Sequence, residues 1–426
     1  MSITLHEQAR SKLLSLLVST LSSIKISNRR FIEYRSIENM DELDHALPQG
    51  VLRKDIAKIL GEPKISDFAL DKVARKIRKN EYDSSEEIVS LEALLTKAGV
   101  DQIAGEVISG IEALPNQYVV TVPLPPPLND RIKDSGFEAK AQPVASPQLV
   151  VVDSDFQRRY PLREDLEPRS LLGSLMAGDN PPQFKEGTIC LQFSTDGYFD
   201  VYGTTLAASS ASESVRAFFG LGMALGAFVP SYAGVNSAWM TPSQRLVVHK
   251  LVGAETFEED TSVELPREMS DLVGRLQLLV DLENRPLRKA LEWGHEQITK
   301  VWGRGAGFDQ VRRAASWHFD SYTGSNQMLS FLQAMTVIEI LVGDQDPEEK
   351  GIGLTKLLSN RCAYLLADSR DERERMLKRF AEIYRVRSQI VHVGKSRLTT
   401  SEESMLFELR ALCRRLLWKE MQSLNN

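Results

Sequence analysis

The apolar residues of this 426-residue chain change their spacing twice. Helical spacing is found in residues 13–21, 51–60 and 68–77, and it returns from about Pro266 onward. Between these regions lie the proline-rich segment 123–127 and then short alternating or β-branched runs, which are typical of strands. A chain of this length is also too long for one compact core. The sequence therefore predicts an α+β multidomain protein.

These changes in pattern place three predicted domains along the chain. We expect a helical N-terminal region over residues 1–115, a middle α+β domain with an antiparallel sheet over 116–260, and an all-α domain over 261–426. The predicted strands cover residues 118–122, 148–152, 188–193, 199–202 and 245–252. Asp196 and Gly197 suit a tight turn, so the third and fourth strands are predicted to form a hairpin.

A glycine-containing helix is predicted at residues 212–228. Its Gly220, Gly222 and Gly226 do not have the spacing of a dinucleotide-binding loop, and they lie inside an apolar run. We interpret them as positions where another element packs closely.

Charge and composition exclude several classes of protein. With 42% hydrophobic and 26% charged residues, a folded core is expected. The net charge is −6, but residues 351–426 carry 15 basic and 9 acidic side chains, so this part is +6 and the rest is −12. A protein that coats nucleic acid along its whole surface is therefore excluded, and the basic end is the candidate for an anionic ligand.

Secretion, membrane insertion and metal binding are not indicated. The N-terminus lacks the apolar stretch of a secretory signal, and residues 218–229 are too short to cross a membrane. The three cysteines and six histidines are scattered, without the spacing of a disulfide framework or a zinc site. We expect a soluble, cytoplasmic protein without a metal or another cofactor.

One region of the N-terminal part leaves a DNA-binding function open. Residues 52–79 have the pattern of two helices joined by a turn, and the second helix is rich in lysine and arginine. Most short helical hairpins do not bind DNA, so a purely structural role is the other interpretation.

Three helices in the last domain each carry a charge on or beside an apolar face. They are predicted at about residues 325–342, 354–366 and 371–393, with a polar loop at 344–349 between the first two. Glu339 lies at the edge of the first stripe, whereas Arg361 and Arg387 fall in line with the stripes of the second and third. Burying an unpaired charge costs several kcal/mol, so these groups are expected to meet. Their surplus positive charge suits a phosphate, although a structural ion pair is equally compatible.

A histidine follows on the third helix. His392 is five residues after Arg387, about 140° around the helix, and it lines up with Ser388 and Tyr384 instead. Gly394 predicts the end of the helix. Imidazole can give or take a proton near neutral pH, although a lone histidine is more often structural.

The run Tyr384-Arg-Val-Arg-Ser-Gln-Ile-Val-His-Val-Gly394 resembles the signature of the HEPN superfamily (higher eukaryotes and prokaryotes nucleotide-binding), most closely its Apea-like branch. In that signature an arginine is followed by four to six residues and then a histidine. Residues 331–341, which include Glu339, resemble the first core helix of the family, and residues 358–366, which include Arg361, resemble its second. The resemblance covers about residues 305–425 and implies a helical bundle that acts as a homodimer.

The resemblance also implies a metal-independent endoribonuclease. His392 would move a proton to or from the 2′-OH or the leaving oxygen, and Arg387 would hold the scissile phosphate. Ser388 would orient one of these groups, and the products would have 2′,3′-cyclic phosphate ends. Arg385 also stands at an allowed spacing from His392 and is the alternative arginine.

The remaining roles follow from the same resemblance. Glu339, Arg361 and Tyr384 would support the site, and basic residues nearby would contact the RNA backbone, namely Lys395 and Arg397 with Arg373, Arg375, Lys378 and Arg379. Such domains often belong to antiviral defence or toxin systems, so a trigger or a neutralising protein is an expected partner. By the same resemblance residues 1–260, and the middle domain 116–260 in particular, would sense or regulate. The alternative is a non-catalytic HEPN module that binds nucleotide, RNA or a partner protein.

Overall fold

The structure is a computed structural model, and it describes residues 3–46, 50–61, 64–79, 87–138, 146–163, 184–231, 243–278, 287–324, 326–343 and 353–424. The predicted polar loop at 344–349 lies outside the described residues.

The described helices, in chain order, are α1 (Glu7–Ser23), α2 (Asp41–His45), α3 (Val51–Leu60), α4 (Ile65–Lys79), α5 (Leu91–Glu112), α6 (Pro126–Asp134), α7 (Ser154–Arg159), α8 (Leu206–Ala224), α9 (Arg267–Arg275), α10 (Leu287–Lys300), α11 (Ala306–Asp320), α12 (Gln327–Val342), α13 (Leu354–Leu366), α14 (Arg370–Val393) and α15 (Thr400–Ser423). The described strands are β1 (Lys25–Ser27), β2 (Phe31–Ile32), β3 (Ile88–Ser90), β4 (Asn116–Pro123), β5 (Gln148–Val151), β6 (Ile189–Gly197), β7 (Phe228–Pro230), β8 (Arg245–Leu251), β9 (Phe257–Glu264) and β10 (Leu276–Leu278). The predicted mixture of helix and sheet is confirmed.

The chain divides into two compact units, and each contains segments that are distant in sequence. The first unit consists of Met1–Val119, Thr195–Ser210 and Val247–Val263. The second consists of Val120–Ser194, Ala211–Leu246 and Glu264–Asn426. The predicted division into three consecutive domains stays a prediction.

In the first unit, α1 packs along α5. Leu13, Leu17 and Leu21 of α1 are fully buried, as helical spacing at i, i+4 and i+8 requires of one face. The predicted helical character of this region is incomplete, because β1 pairs antiparallel with both β2 and β3 in a small sheet.

A five-stranded sheet has the order β5-β6-β4-β8-β9. β5 and β6 are antiparallel, with Gln148 opposite Gln192 and Val151 opposite Ile189. The predicted strands at 118–122, 148–152, 188–193 and 245–252 are confirmed within one to four residues at their ends. The predicted hairpin is wrong, because β6 continues through Asp196 to Gly197 and the following residues form no strand. Strand β6 pairs with β5 and β4, which are distant in sequence, and this pairing continues past the turn signal at Asp196 and Gly197.

The glycines of α8 allow close packing, as predicted. A Cβ atom at Gly220 would overlap the carbonyl oxygen of Ala315 in α11, and one at Gly222 would overlap the Phe228 ring. Gly226 follows the helix with φ +75°, a conformation that favours glycine.

The C-terminal helices pack against one another within the second unit. Helix α12 contacts α11, α13, α14 and α15, and α13 packs along α14. Side-chain caps are present at the starts of α12 and α14. No helix within the described part of the chain has the length and apolarity needed to cross a membrane.

Candidate functional site

Local capping fixes the ends of the helices that carry the candidate residues. The Asn326 side chain accepts a hydrogen bond from the Leu329 amide at the start of α12, and Ser369 does the same for Glu372 at the start of α14. Helix α14 ends at Gly394, which adopts the left-handed conformation with φ 70° and ψ 38°. The predicted end of this helix is therefore confirmed, and Arg387, Ser388 and His392 lie on one continuous helix.

Arg387 and Glu339 form an ion pair between α14 and α12. Nη2 of Arg387 lies 3.4 Å from Oε1 of Glu339, and the two side chains are 23% and 29% exposed. The Arg387 guanidinium also lies 5.6 Å from the centre of the Tyr384 ring. The other N–H groups of this guanidinium have no hydrogen-bond acceptor among the described residues. The arginine is thus restrained on one side and can donate on another.

The buried face of α14 is the predicted one at Phe380 and Ile383 but differs at the next turn. Phe380, Ile383 and Val386 are buried, so Val386 takes the core position that the sequence pattern assigned to Arg387. Positions three and four residues apart both fit a helical stripe, and the apolar side chain is the one that enters the core. Arg387 lies beside it at the edge, where a charge keeps part of its hydration.

Arg361 does not join Arg387 and Glu339 in one ion cluster. Its Nη1 donates hydrogen bonds to the carbonyl oxygens of Val342 and Gly343, at 2.9 and 3.0 Å, at the C-terminal end of α12. The last carbonyl oxygens of a helix accept no hydrogen bond from within the helix and carry partial negative charge. A guanidinium that donates to them is therefore favourable. The buried face of α13 contains Leu358, Cys362 and Ala363 instead. Arg361 thus contacts the end of α12, and the surplus positive charge predicted for the three helices stays a prediction.

His392 is exposed in the last turn of α14. Ser388, one turn earlier, and Tyr384 are half-buried, and Arg385 is exposed. The side chains of Arg387 and His392 leave the helix in directions about 140° apart. One copy of this helix therefore presents them on different faces.

Lys395 and Arg397 are two of the cations predicted to contact RNA, and the first of them is engaged within the protein. Lys395 Nζ donates to Glu402 Oε1 at 2.8 Å, and the backbone amide of Thr399 donates to the other oxygen of Glu402 at 2.7 Å, at the start of α15. Burial would raise the pKa of Glu402, but the hydrogen bonds from Lys395 and Thr399 hold it below its usual value. Arg397 is exposed and has no such contact among the described residues.

Arg379 also has a structural contact that the sequence pattern did not reveal. Its Nε and Nη2 donate to the two carboxylate oxygens of Glu408, at 2.6 and 2.7 Å, and this joins α14 to α15. Two parallel bonds of this kind fix the geometry of both side chains. Arg379 therefore stabilises the contact between α14 and α15, whereas the sequence analysis predicted a contact with RNA.

The basic residues of α4 are largely engaged inside the first unit. Arg75 forms ion pairs with Asp71 at 2.6 Å and with Asp260 at 2.9 Å. Lys72 lies over the Phe68 ring, and burial together with Arg75 lowers its pKa. A helix that reads DNA needs such side chains in the groove. Because Arg75 and Lys72 are engaged within the first unit, the DNA-binding interpretation of residues 52–79 is weakened.

Comparisons of the chain with models of known protein families, with curated proteins and with solved structures find no match. Within the described ranges no group of three or more histidine, cysteine, aspartate or glutamate side chains is arranged to hold a metal ion.

Proposed function

We propose that the C-terminal helices form a HEPN-type bundle that acts as a metal-independent endoribonuclease in the cytoplasm. The observation that carries the proposal is the Arg387 guanidinium, which is held by Glu339 and Tyr384 but keeps N–H donors for which the described residues offer no acceptor. A planar guanidinium with two parallel donors fits two oxygens of a phosphate. Restraint on one side lowers the entropy lost when the phosphate binds.

His392 supplies the acid-base group in this proposal. Its exposed position lets it reach a ribose 2′-OH or a leaving oxygen on a bound RNA strand. Attack of the 2′-OH on the adjacent phosphorus breaks the bond to the 5′ oxygen of the next nucleotide and leaves a 2′,3′-cyclic phosphate. Arg387 offsets the charge that grows on the phosphate in the transition state, and Ser388 orients the strand.

A homodimer is the arrangement that this mechanism favours. Because Arg387 and His392 leave one helix on different faces, two copies of the motif facing one cleft offer a phosphate both groups at once. Val391 and Val393, which flank His392, are 46% and 77% exposed. Exposed apolar side chains beside a polar site support a contact with a second chain.

The Glu339–Arg387 pair also supports a second function, a HEPN module that binds nucleotide, RNA or a partner protein without cleaving. In that case the pair and Arg361 serve to hold the helices together, and His392 has no proton to move. In either case we propose that other parts of the chain sense a trigger or bind a neutralising protein, as in antiviral defence or toxin systems.

The test is incubation of the purified full-length protein with total RNA in EDTA, followed by analysis of the fragments and their 3′ ends. We expect cleavage by the wild type with cyclic phosphate ends, and a loss of about 100-fold or more in the His392→Ala and Arg387→Ala variants. Arg385→Ala distinguishes the two candidate arginines. His6→Ala, which removes an exposed histidine of the first unit, is the matched control and retains full activity.

The outcomes separate the two functions. Equal cleavage by the wild type and His392→Ala would show a contaminating nuclease and would refute the assignment. Intact RNA with every variant, combined with RNA binding that Arg387→Ala weakens, would favour the binding module.

A further inference from the structure

A cavity of about 420 Å³ lies in the second unit, at the end of α12 and beside α13 and the first turns of α14. It has the volume of sites that take small organic molecules. None of the proposed catalytic residues lines it. Its lining side chains are of four chemical kinds, which together define the ligand that fits.

The first kind is apolar. Leu341, Val342 and Leu365 line the cavity, and they favour the face of a flat or aliphatic group because contact there removes apolar surface from water. The second kind is the ring of Tyr364, which is 75% exposed. An aromatic ring that stands in solvent beside a cavity provides a stacking surface for a nucleobase.

The third kind is cationic. Arg361 and Arg373 both line the cavity, and the lining residues that the structure describes include no acidic side chain. The guanidinium of Arg361 is anchored on the carbonyls of Val342 and Gly343. The side chain of Arg373 is exposed and has no hydrogen-bond or ion-pair contact among the described residues. A positive cavity with one anchored and one adaptable guanidinium favours an anion such as phosphate.

Asn360 completes the lining. It stands one helical turn before Tyr364 on α13, so the two side chains lie on the same side of that helix. An amide both donates and accepts hydrogen bonds, which matches the mixed edge of a nucleobase. An aliphatic carboxylate would use the arginines but neither the ring nor the amide.

We propose that this cavity binds a nucleotide unit, with the base stacked on Tyr364 against the apolar lining and the phosphate held by Arg373 and Arg361. The unit is either a free nucleotide or one nucleotide of a single RNA strand. The inference is independent of the ribonuclease proposal, because binding here does not require that His392 cleave RNA.

The experiment is calorimetric titration of the full-length protein with AMP and, separately, with a short oligonucleotide of 2′-O-methyl ribonucleotides, which has no free 2′-OH to attack. Adenosine and inorganic phosphate are the comparison ligands. We expect AMP or the oligonucleotide to bind more tightly than either comparison ligand. Tight binding of AMP identifies the free nucleotide as the ligand, and tight binding of the oligonucleotide alone identifies the RNA strand.

Variants locate the binding in this cavity. Tyr364→Ala and Arg373→Ala are each expected to weaken binding about tenfold or more, the range known for loss of a base stack or of a phosphate contact. Tyr364→Phe keeps the ring and should keep the affinity. Arg370→Ala is the matched control, because Arg370 is 89% exposed on α14, three residues from Arg373, and does not line the cavity.

Three results would overturn the proposal. They are absence of binding by both AMP and the oligonucleotide, affinities unchanged in Tyr364→Ala and Arg373→Ala, and binding of inorganic phosphate as tight as that of AMP. Tyr364 and Arg373 are exposed, so their replacement leaves the core intact, and circular dichroism of each variant checks this. Loss of RNA cleavage in His392→Ala with unchanged nucleotide affinity would separate the two proposals.

Discussion

His318 lies in the core of the second unit, where its imidazole is fully buried in α11. Its ring meets that of Tyr322 edge to face, and Arg410 and Arg414 of α15 are the nearby charges. Neither ring nitrogen has a hydrogen-bond partner among the described residues. Burial, aided by the two arginines, lowers the pKa of His318 to about 3. We predict that this residue makes the stability of the C-terminal helices depend on pH.

The sign of this pH dependence follows from the pKa of His318 in the folded and in the unfolded state. In the unfolded chain the imidazole has a pKa of about 6.5, so below this pH the unfolded state takes up a proton that the folded state does not. The free energy of unfolding therefore falls as the pH falls from about 6.5 to about 3. At 1.36 kcal/mol for each pH unit, the loss attributable to His318 is about 2 kcal/mol at pH 5 and about 4 kcal/mol at pH 3, where the folded state also takes up the proton.

The assay is urea unfolding at a series of pH values between about 8 and 5, followed by tryptophan fluorescence. Four of the five tryptophans, at positions 293, 302, 317 and 418, lie in the C-terminal helices, so the signal reports mainly on them. His318→Leu removes the titrating group and keeps an apolar side chain in the core. We expect the wild type to lose about 2 kcal/mol more than this variant over that range.

Other ionisable groups contribute to the stability of both proteins, and the comparison between the two proteins removes their contributions. Asp320, whose pKa is raised by burial, is present in both proteins. His6→Leu, at an exposed histidine, should follow the wild type. The reasoning would be refuted if His318→Leu lost as much stability between pH 8 and pH 5 as the wild type, whatever its stability at neutral pH.

Two further predictions concern packing and a buried ion pair. Gly220→Ala should lower the free energy of unfolding by about 2 kcal/mol, because its Cβ would overlap the Ala315 carbonyl oxygen, whereas Gly105→Ala in α5, with nothing within 4 Å, should raise it by about 1 kcal/mol. Thermal melting of the two variants beside the wild type checks this, and equal effects would refute the close approach. Asp71→Asn should cost about 3 kcal/mol in urea unfolding, since Asp71 is 1% exposed and is paired with Arg75. Asp67→Asn on the same helix, where the carboxylate is 66% exposed, should change stability by less than about 0.5 kcal/mol and is the control.

Elements whose signals are local could be predicted from the sequence. The helix Leu354–Leu366 has the predicted bounds, and α14 ends at Gly394 as expected. Capping groups and helical periodicity act within a few residues, so they are legible without knowledge of the rest of the chain. The same kind of local signal gave a wrong prediction at Asp196 and Gly197. A turn signal does not determine whether a strand continues along its neighbouring strands.

The sequence predicted which residues belong to the candidate site, but it predicted only part of their contacts. The sequence identified Glu339 and Arg387 as residues expected to pair, and their side chains do meet. It did not determine that Arg361 would bind the carbonyls of Val342 and Gly343. Hydrogen-bond acceptors at a helix end are invisible to a pattern of side chains, because the backbone supplies them.

The sequence by itself determined where most of these helices begin and end, which charges accompany their apolar faces, and that the last part of the chain is basic. Only the tertiary structure decided that Val386 and not Arg387 enters the core, that Glu408 holds Arg379, and that Tyr364 borders a cavity with Arg373. The reason is physical: periodicity fixes the side of a helix to within about one position, whereas burial and ion pairing depend on which neighbouring helix occupies the adjacent space.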